Sequence, residues 1–115
     1  MPDRSLVLRL TDIVEAIERI RSVVGTLSPE EFEGSWERQW LVERGVLIVS
    51  EARRHLSTEL KSRHPEIPWV KVAGIGSVLR HDYERIAPDV IWKLATVDLP
   101  ILDAACRNEL AKQVK

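Results

Sequence analysis

The sequence predicts an all-α fold, an antiparallel up-and-down bundle of four to five helices in one domain that spans residues 1–115. Apolar residues recur at alternating steps of three and four, which is the spacing of one helix face. Prolines divide the chain into segments of helix length. Strict alternation and Asn-Gly turns are absent from the sequence, so a β-sheet is not expected.

The first predicted helix carries a single apolar stripe and ends near Gly25, a residue type that is common just past helix C-termini. A short helical turn is predicted at Ser28-Pro29-Glu30-Glu31. A helix typically starts with this order: a serine cap, a proline at the first helical position and a glutamate three residues after the cap. The stripe consists of Leu6, Leu10, Ile13, Ile17, Ile20, Val24 and Leu27.

A second long helix is predicted from about Trp36 to Leu60, since this stretch lacks proline. A third should run from Trp69 toward Leu79 despite the helix cost of its glycines. Pro88 and Pro100 then start helices over about 88–96 and 99–112. The stripe of the second helix is Leu41, Gly45, Ile48, Ala52 and Leu56. Most of the four tryptophans are assigned to the core, and some could anchor a dimer interface, where tryptophan is enriched; they are Trp36, Trp40, Trp69 and Trp92.

Composition narrows the classes of function. The single cysteine, Cys106, excludes an intramolecular disulfide and a thiol-rich zinc site. A leading signal segment and an apolar run long enough to span a bilayer are both missing, which predicts a cytoplasmic protein without membrane contact. The net charge of −1 gives no global basic field that would attract nucleic acid.

The basic residues are nevertheless unevenly distributed. Residues 1–50 carry nine acidic and six basic residues, whereas residues 51–85 carry seven basic and five acidic ones. The basic excess therefore falls on the segment that contains Arg80-His81-Asp82-Tyr83. A guanidinium can hold a phosphate and an imidazole can move a proton near neutral pH, so this segment is the candidate site.

The order of landmarks resembles the HepT-like proteins of the HEPN superfamily. The resemblance starts in the first helix at Arg9–Ile20, continues through Glu51-Ala52 and Pro65-x-x-Pro68-Trp69, and ends with Gly74-Ile75-Gly76, His81-x-Tyr83 and Trp92. It implies a small helical homodimer that acts as a metal-independent endoribonuclease on RNA, without a cofactor. It also implies a toxin whose antitoxin partner, a minimal nucleotidyltransferase, silences it by adenylylating a tyrosine.

The family motif is an arginine, four to six residues, a histidine, one residue and a tyrosine. The resemblance assigns His81 as the acid/base residue and Tyr83 as the modified tyrosine. The motif arginine would fall on Gly74, Ile75 or Gly76, and none of them is arginine. Arg80 is the expected substitute as phosphate clamp, and the remaining substrate-binding candidates are Ser77, Arg54 and Arg85.

Structural alternatives exist for the same residues. His81 could cap helix carbonyls, Tyr83 could be a packing residue, and Arg80 could pair with Glu84 across one helix turn. His55 and His64 are read as solvated, and no cluster has metal-ligand spacing. The alternative function is a catalytically inactive dimer of the same fold that binds nucleotides or a nucleotidyltransferase.

Overall fold

Long antiparallel helices build the molecule, and one-turn helices occupy two of its connections. The computed structural model describes residues 3–82 and 86–113, and these ranges contain helices and turns but no strand. This confirms the predicted all-α bundle. The helices are α1 (Arg4–Val24), α2 (Pro29–Glu33), α3 (Trp36–Arg53), α4 (Thr58–Ser62), α5 (Trp69–His81), α6 (Pro88–Lys93) and α7 (Leu99–Gln113), with a π-helical segment over Leu94–Asp98 between the last two.

The predicted start and end signals of the first two helices are confirmed. Gly25 follows α1 with a φ of 52°, the left-handed region that favours glycine. At α2, the Ser28 Oγ accepts from the Glu31 N–H at 3.1 Å, and the Glu31 Oε1 accepts from the Ser28 N–H at 2.8 Å. These reciprocal bonds satisfy two backbone donors that the helix itself leaves unpaired.

Helix α1 lies between α3 and α7 and buries its apolar stripe against both. The Asp3 N–H donates to the Gln113 Oε1 at 3.0 Å, and Arg21 pairs with Asp103 at 3.4 Å, so α7 runs antiparallel to α1. On the other side, α3 approaches α1 closely where Gly45 meets Ile20. None of the helices within residues 3–82 and 86–113 is long and apolar enough to cross a membrane. The largest core side chains include Leu10, Ile13, Ile17, Ile20, Phe32, Val42, Val46, Leu94, Leu99 and Leu102.

Two predicted helix boundaries are wrong. Helix α3 ends at Arg53 rather than near Leu60, because Ser57 starts α4 by accepting from the Leu60 N–H at 3.1 Å. The two helices predicted over about 88–96 and 99–112 form one continuous helix that contains the π-helical segment. In this segment the Leu99 N–H donates to the Leu94 carbonyl, five residues earlier, so the turn contains one residue more than an α-helical turn. The wider turn accommodates Pro100, which has no N–H to donate.

The tryptophan assignment is only half correct. Trp69 and Trp92 are partly buried, and the Trp92 ring packs on Phe32 with centroids 5.3 Å apart. Trp36 and Trp40 are instead 60% and 62% exposed at the start of α3. Leu41, assigned to the buried stripe, is also exposed, because the face of α3 that meets α1 is rotated toward Val42, Val46 and Val49.

A buried carboxylate on α7 ties the turn after α4 to the bundle. Glu109 is 1% exposed, and Arg63 donates to it from Nε and Nη2 at 3.3 and 2.9 Å. His64 lies 2.6 Å from the same carboxylate, so the prediction that His64 is solvated is wrong, whereas His55 is exposed as expected. Hydrogen bonds from Arg63, against the opposing effect of burial, lower the pKa of Glu109 to about 2.

We expect Glu109→Gln to lower the free energy of unfolding by about 2–3 kcal/mol, because it leaves Arg63 and Lys112 without their partner. The pKa of Glu109 lies below its ordinary value of 4.5. Its contribution is therefore fully present above pH 4.5 and is lost as the pH falls toward 2. Urea unfolding at pH 7 and pH 3 measures both effects.

The matched control is Glu59→Gln, since Glu59 contacts the same arginine at 3.4 Å but is 87% exposed. That change should alter stability by less than about 0.5 kcal/mol. Equal losses in the two variants would contradict a structural role for the buried carboxylate.

Candidate active site and nucleic-acid interface

The candidate acid/base residue lies at the C-terminal end of α5. His81 is the last residue of the helix, and its side chain is exposed. The helix ends here because the backbone of Asp82 leaves the helical conformation, with a φ of −160° and a ψ of 55°, although its N–H still donates to the Val78 carbonyl at 2.6 Å. An exposed imidazole at this position can reach a ligand in solvent.

Arg80 is held by a carboxylate on the neighbouring helix. Its Nη1 donates to the Glu51 Oε1 at 2.6 Å, and the two side chains are 30% and 45% exposed. Arg54 donates to the other oxygen of Glu51 at 3.3 Å. One carboxylate on α3 thus joins two of the predicted phosphate-binding arginines, while the alternative partner Glu84 lies outside the described residues.

Arg80 and Glu51 line a cleft of about 420 Å³ between α1, α3 and α5. Three arginines face two carboxylates in this cleft, so it favours anionic ligands. Arg9 also has a buried Nε–H without a hydrogen-bond partner in the described part of the chain. The lining residues are Arg9, Asp12, Arg44, Leu47, Ile48, Glu51, Ala52 and Arg80.

The positive charge extends beyond the cleft to the end of α3. Burial, with the neighbouring cations Arg54 and Arg80, lowers the pKa of Arg53 below its ordinary value of 12.5. Its Nε is likewise buried without a hydrogen-bond partner among the described residues. A phosphate could accept from several of these guanidinium groups at once.

A second groove of about 310 Å³ adjoins the cleft and leads toward the end of α5. The two share Arg44 and Leu47, and Leu79, two residues before His81, lines the groove. Burial raises the pKa of Glu43, which also lines this groove. The cleft and the groove together form a continuous depression along α3, which we call the α3 depression.

Gly76, the position nearest to His81 at which the family motif allows its arginine, has no room for a side chain. Gly76 is buried, and a Cβ built on it would overlap both the Oγ and the Cβ of Ser50 on α3. Gly74 has open space around its Cβ position, and Ser77 is exposed on the same helix. Close contact between α3 and α5 therefore explains why the usual arginine is missing from Gly76.

The structure brings together Arg80, Arg54 and their shared carboxylate. His81 follows Arg80 in the sequence but is not one of the residues that line the cleft or the groove. Tyr83 and Arg85 lie outside the described residues. Sequence reasoning did not find Arg9 and Arg44. The sequence does contain a signal for Arg44 as a site residue, because Arg44 precedes Ile48 by four residues and Glu51 by seven and so shares their helix face. No local pattern indicates Arg9.

Residues 13–109 match the model of the family described as Ribonuclease HepT-like, and the chain belongs to this family. A Thermococcus cleftensis protein named "Probable ribonuclease HepT" is 36% identical over 93 residues, which cover 81% of this chain and 84% of that protein. Two Methanocaldococcus jannaschii proteins, each named "Putative RNase", are 26% identical to this chain. The alignments cover 87% and 100% of this chain and 92% of each relative.

Proposed function

We propose that this protein is a metal-independent endoribonuclease. The observation that carries the proposal is the arginine-lined cleft beside α5 in a member of the Ribonuclease HepT-like family. Arg80 lines this cleft and directly precedes the exposed His81 in the sequence. His81 acts as the acid/base residue. Arg80 binds the scissile phosphate, and Arg54, Arg85 and Ser77 contact the neighbouring backbone of the RNA.

The proposed reaction uses the ribose 2′-hydroxyl of the substrate as nucleophile. This oxygen attacks the adjacent phosphorus, the bond from phosphorus to the 5′-oxygen of the next nucleotide breaks, and a 2′,3′-cyclic phosphate forms. One group removes the 2′-hydroxyl proton and another returns a proton to the leaving 5′-oxygen. An imidazole can perform either transfer near neutral pH, and a guanidinium stabilises the charge that develops on the phosphoryl oxygens.

The test of the proposal is cleavage of a labelled single-stranded RNA by the purified wild-type protein in the presence of a chelator. Products that end in a 2′,3′-cyclic phosphate are expected. Absence of cleavage would contradict the proposal and favour the second candidate, a catalytically inactive dimer that binds nucleotides or a nucleotidyltransferase. The observation that favours this second candidate is Gly76 in place of the motif arginine.

Arg80→Ala is expected to lower kcat/KM about 10–100-fold, because a bidentate phosphate contact contributes about 1.5–3 kcal/mol. Arg80→Lys should recover only part of this loss, since lysine keeps the charge but not the fork geometry. The rates are measured with the same labelled RNA. Lys93→Ala, at an exposed cation on α6, is the control; unchanged cleavage by Arg80→Ala would remove this residue from the site.

The proposal extends to a homodimeric toxin that a minimal nucleotidyltransferase antitoxin neutralises by adenylylating Tyr83. We expect that incubation with ATP and the partner adds the mass of AMP to the peptide that contains Tyr83 and stops RNA cleavage. Mass spectrometry of digested protein measures the modification. A Tyr83→Phe protein that is modified to the same extent would exclude this residue as the acceptor.

A further inference from the structure

Two cations beside the candidate site have no counterion in the described part of the chain. Arg53 is the last residue of α3, and Lys61 lies on α4. Both side chains are partly buried, yet neither forms an ion pair with a described residue. The Arg53 Nε is also buried without a hydrogen-bond partner there. Because a charge that loses water is normally paired, this arrangement indicates an anionic partner from outside the fold.

Neighbouring cations add to the cost of the arrangement. Burial, with Arg54 and Arg80, lowers the pKa of Arg53, and burial together with the charge of Arg53 lowers the pKa of Lys61 below its ordinary value of 10.5. Glu51 acts on Arg53 in the opposite direction, but its two oxygens already accept from Arg80 and Arg54. We call these four basic residues the cation cluster, namely Arg53, Arg54, Lys61 and Arg80.

The packing of α5 on α3 places the Arg80 guanidinium next to the face of α3 that carries Arg53. Ser50 and Arg53 are three residues apart and therefore share that face. The Cβ position of Gly76 on α5 lies against the Ser50 side chain and 3.8 Å from the Arg80 Nη1. The cation cluster thus begins at the proposed phosphate clamp and extends from it to α4.

The cation cluster is more positive than the cleft beside it. Three arginines face two carboxylates in the cleft, whereas the four cations of the cluster have Glu51 as the carboxylate in contact with them. The carboxylate of α4, Glu59, is 87% exposed and contacts Arg63 at 3.4 Å. Glu59 is two residues from Lys61, so the two side chains leave opposite sides of the helix. The cluster therefore keeps a net positive charge.

We propose that the cation cluster binds a second phosphate of the RNA, next to the phosphate that Arg80 holds for cleavage. This inference rests on the proposed function and specifies where its substrate continues. Arg53 and Lys61 contact the second phosphate, whose oxygens accept from several donors at once. The continuity with Arg80 favours RNA as the source of this anion, because a strand bound at Arg80 carries a further phosphate at each neighbouring nucleotide.

Fluorescence anisotropy with a 3′-fluorescein-labelled 12-nucleotide oligo(U), measured over a series of salt concentrations, tests the proposal. The full-length protein carries His81→Ala, so that the RNA stays intact. Adding Arg53→Gln or Lys61→Gln should raise Kd about tenfold. Each should also reduce the slope of log Kd against log salt concentration by about 0.7, since one phosphate contact with a single strand is lost. Lys93→Gln, at an exposed cation on α6, is the control and should change neither value.

Kinetics and stability distinguish substrate binding from a structural role. In otherwise wild-type protein, Arg53→Gln and Lys61→Gln should raise the KM for the labelled RNA about tenfold and leave kcat within about twofold, because this contact is the same in the ground state and the transition state. Thermal unfolding should show no loss of stability, since each change removes a partly buried charge without a counterion. A loss of stability in both variants would indicate a structural role and overturn the proposal.

Inorganic phosphate, compared with chloride at equal ionic strength, is the second probe. If phosphate raises the melting temperature of the parent but not of Arg53→Gln, and oligo(U) binding is the same in both, the cluster is a site for small phosphate compounds and the proposal fails. Light scattering covers a protein partner, because a dimer that becomes monomeric through Arg53→Gln would identify a carboxylate of a second copy as the counterion and overturn the proposal.

The fate of the proposed function is separable from that of the cation cluster. Parental affinity and salt dependence in both Arg53→Gln and Lys61→Gln would overturn the second phosphate site, while RNA cleavage by the wild-type protein would leave the proposed function intact. Absence of RNA binding by the parent, together with absence of cleavage by the wild type, would overturn both.

Discussion

Replacing His81 with alanine is expected to lower the rate of RNA cleavage by about 10²–10⁴-fold while the protein keeps its fold. A positioned general acid or base contributes a factor of this size. His81 is exposed at the end of α5, outside the apolar core, so its removal should not reduce the free energy of unfolding measurably. Single-turnover cleavage of a labelled RNA in chelator measures the rate, and thermal unfolding measures the fold.

The matched control is His55→Ala, because His55 is also an exposed histidine but lies in the turn after α3 and not at the end of α5. Its cleavage rate should equal that of the wild type. Cleavage by His81→Ala at the wild-type rate would exclude this histidine from the chemistry.

The sequence was sufficient for those elements whose signals are local. The apolar stripe of α1, its end at Gly25 and the capping box at Ser28 each depend on residues within a few positions of one another. The end of α3 was missed because Leu56 continues the apolar spacing. In the fold Leu56 lies in the turn that follows the helix and is buried there. Apolar periodicity does not distinguish a buried leucine in such a turn from one in the helix itself.

Contacts between distant residues account for the other differences. His64 was read as solvated because its partner, Glu109, lies 45 positions further along the chain. Arg9 enters the cleft through the packing of α1 on α3, which no local pattern specifies. By contrast, the family resemblance predicts Arg80 as the phosphate clamp, and the structure adds Glu51 as the carboxylate that pairs with it.

The departure from the family motif also has a tertiary cause, and it leads to a large expected effect on stability. Gly76→Ala should lower the free energy of unfolding by about 2–3 kcal/mol, because the new Cβ would overlap the Cβ of Ser50 as well as its Oγ. A Cβ is fixed by the backbone, so no change of rotamer relieves the contact and the two helices must move apart. The measurement is urea unfolding, and the melting temperature should fall by roughly 10 °C.

Gly74→Ala is the matched control, two residues away in the same helix. A Cβ at Gly74 meets nothing within 4 Å, so the better helix propensity of alanine should stabilise the protein by about 0.5–1 kcal/mol. The double variant Ser50→Gly with Gly76→Ala should be more stable than the sum of its single changes predicts. Ser50→Ala should not relieve the overlap, since it keeps the Cβ. Equal effects of alanine at Gly74 and Gly76 would refute this account.

The same contact predicts the outcome of restoring the motif. Gly76→Arg would place the family's arginine at the spacing that the motif allows, but its Cβ and Cγ would enter the volume that Ser50 occupies. We expect this variant to unfold at lower urea concentration than Gly76→Ala and to show no gain in cleavage. Arginine at the open neighbouring position, Gly74→Arg, should be tolerated. Higher activity from a stable Gly76→Arg protein would show that α3 and α5 can separate at this point, and the phosphate clamp would then not depend on Arg80.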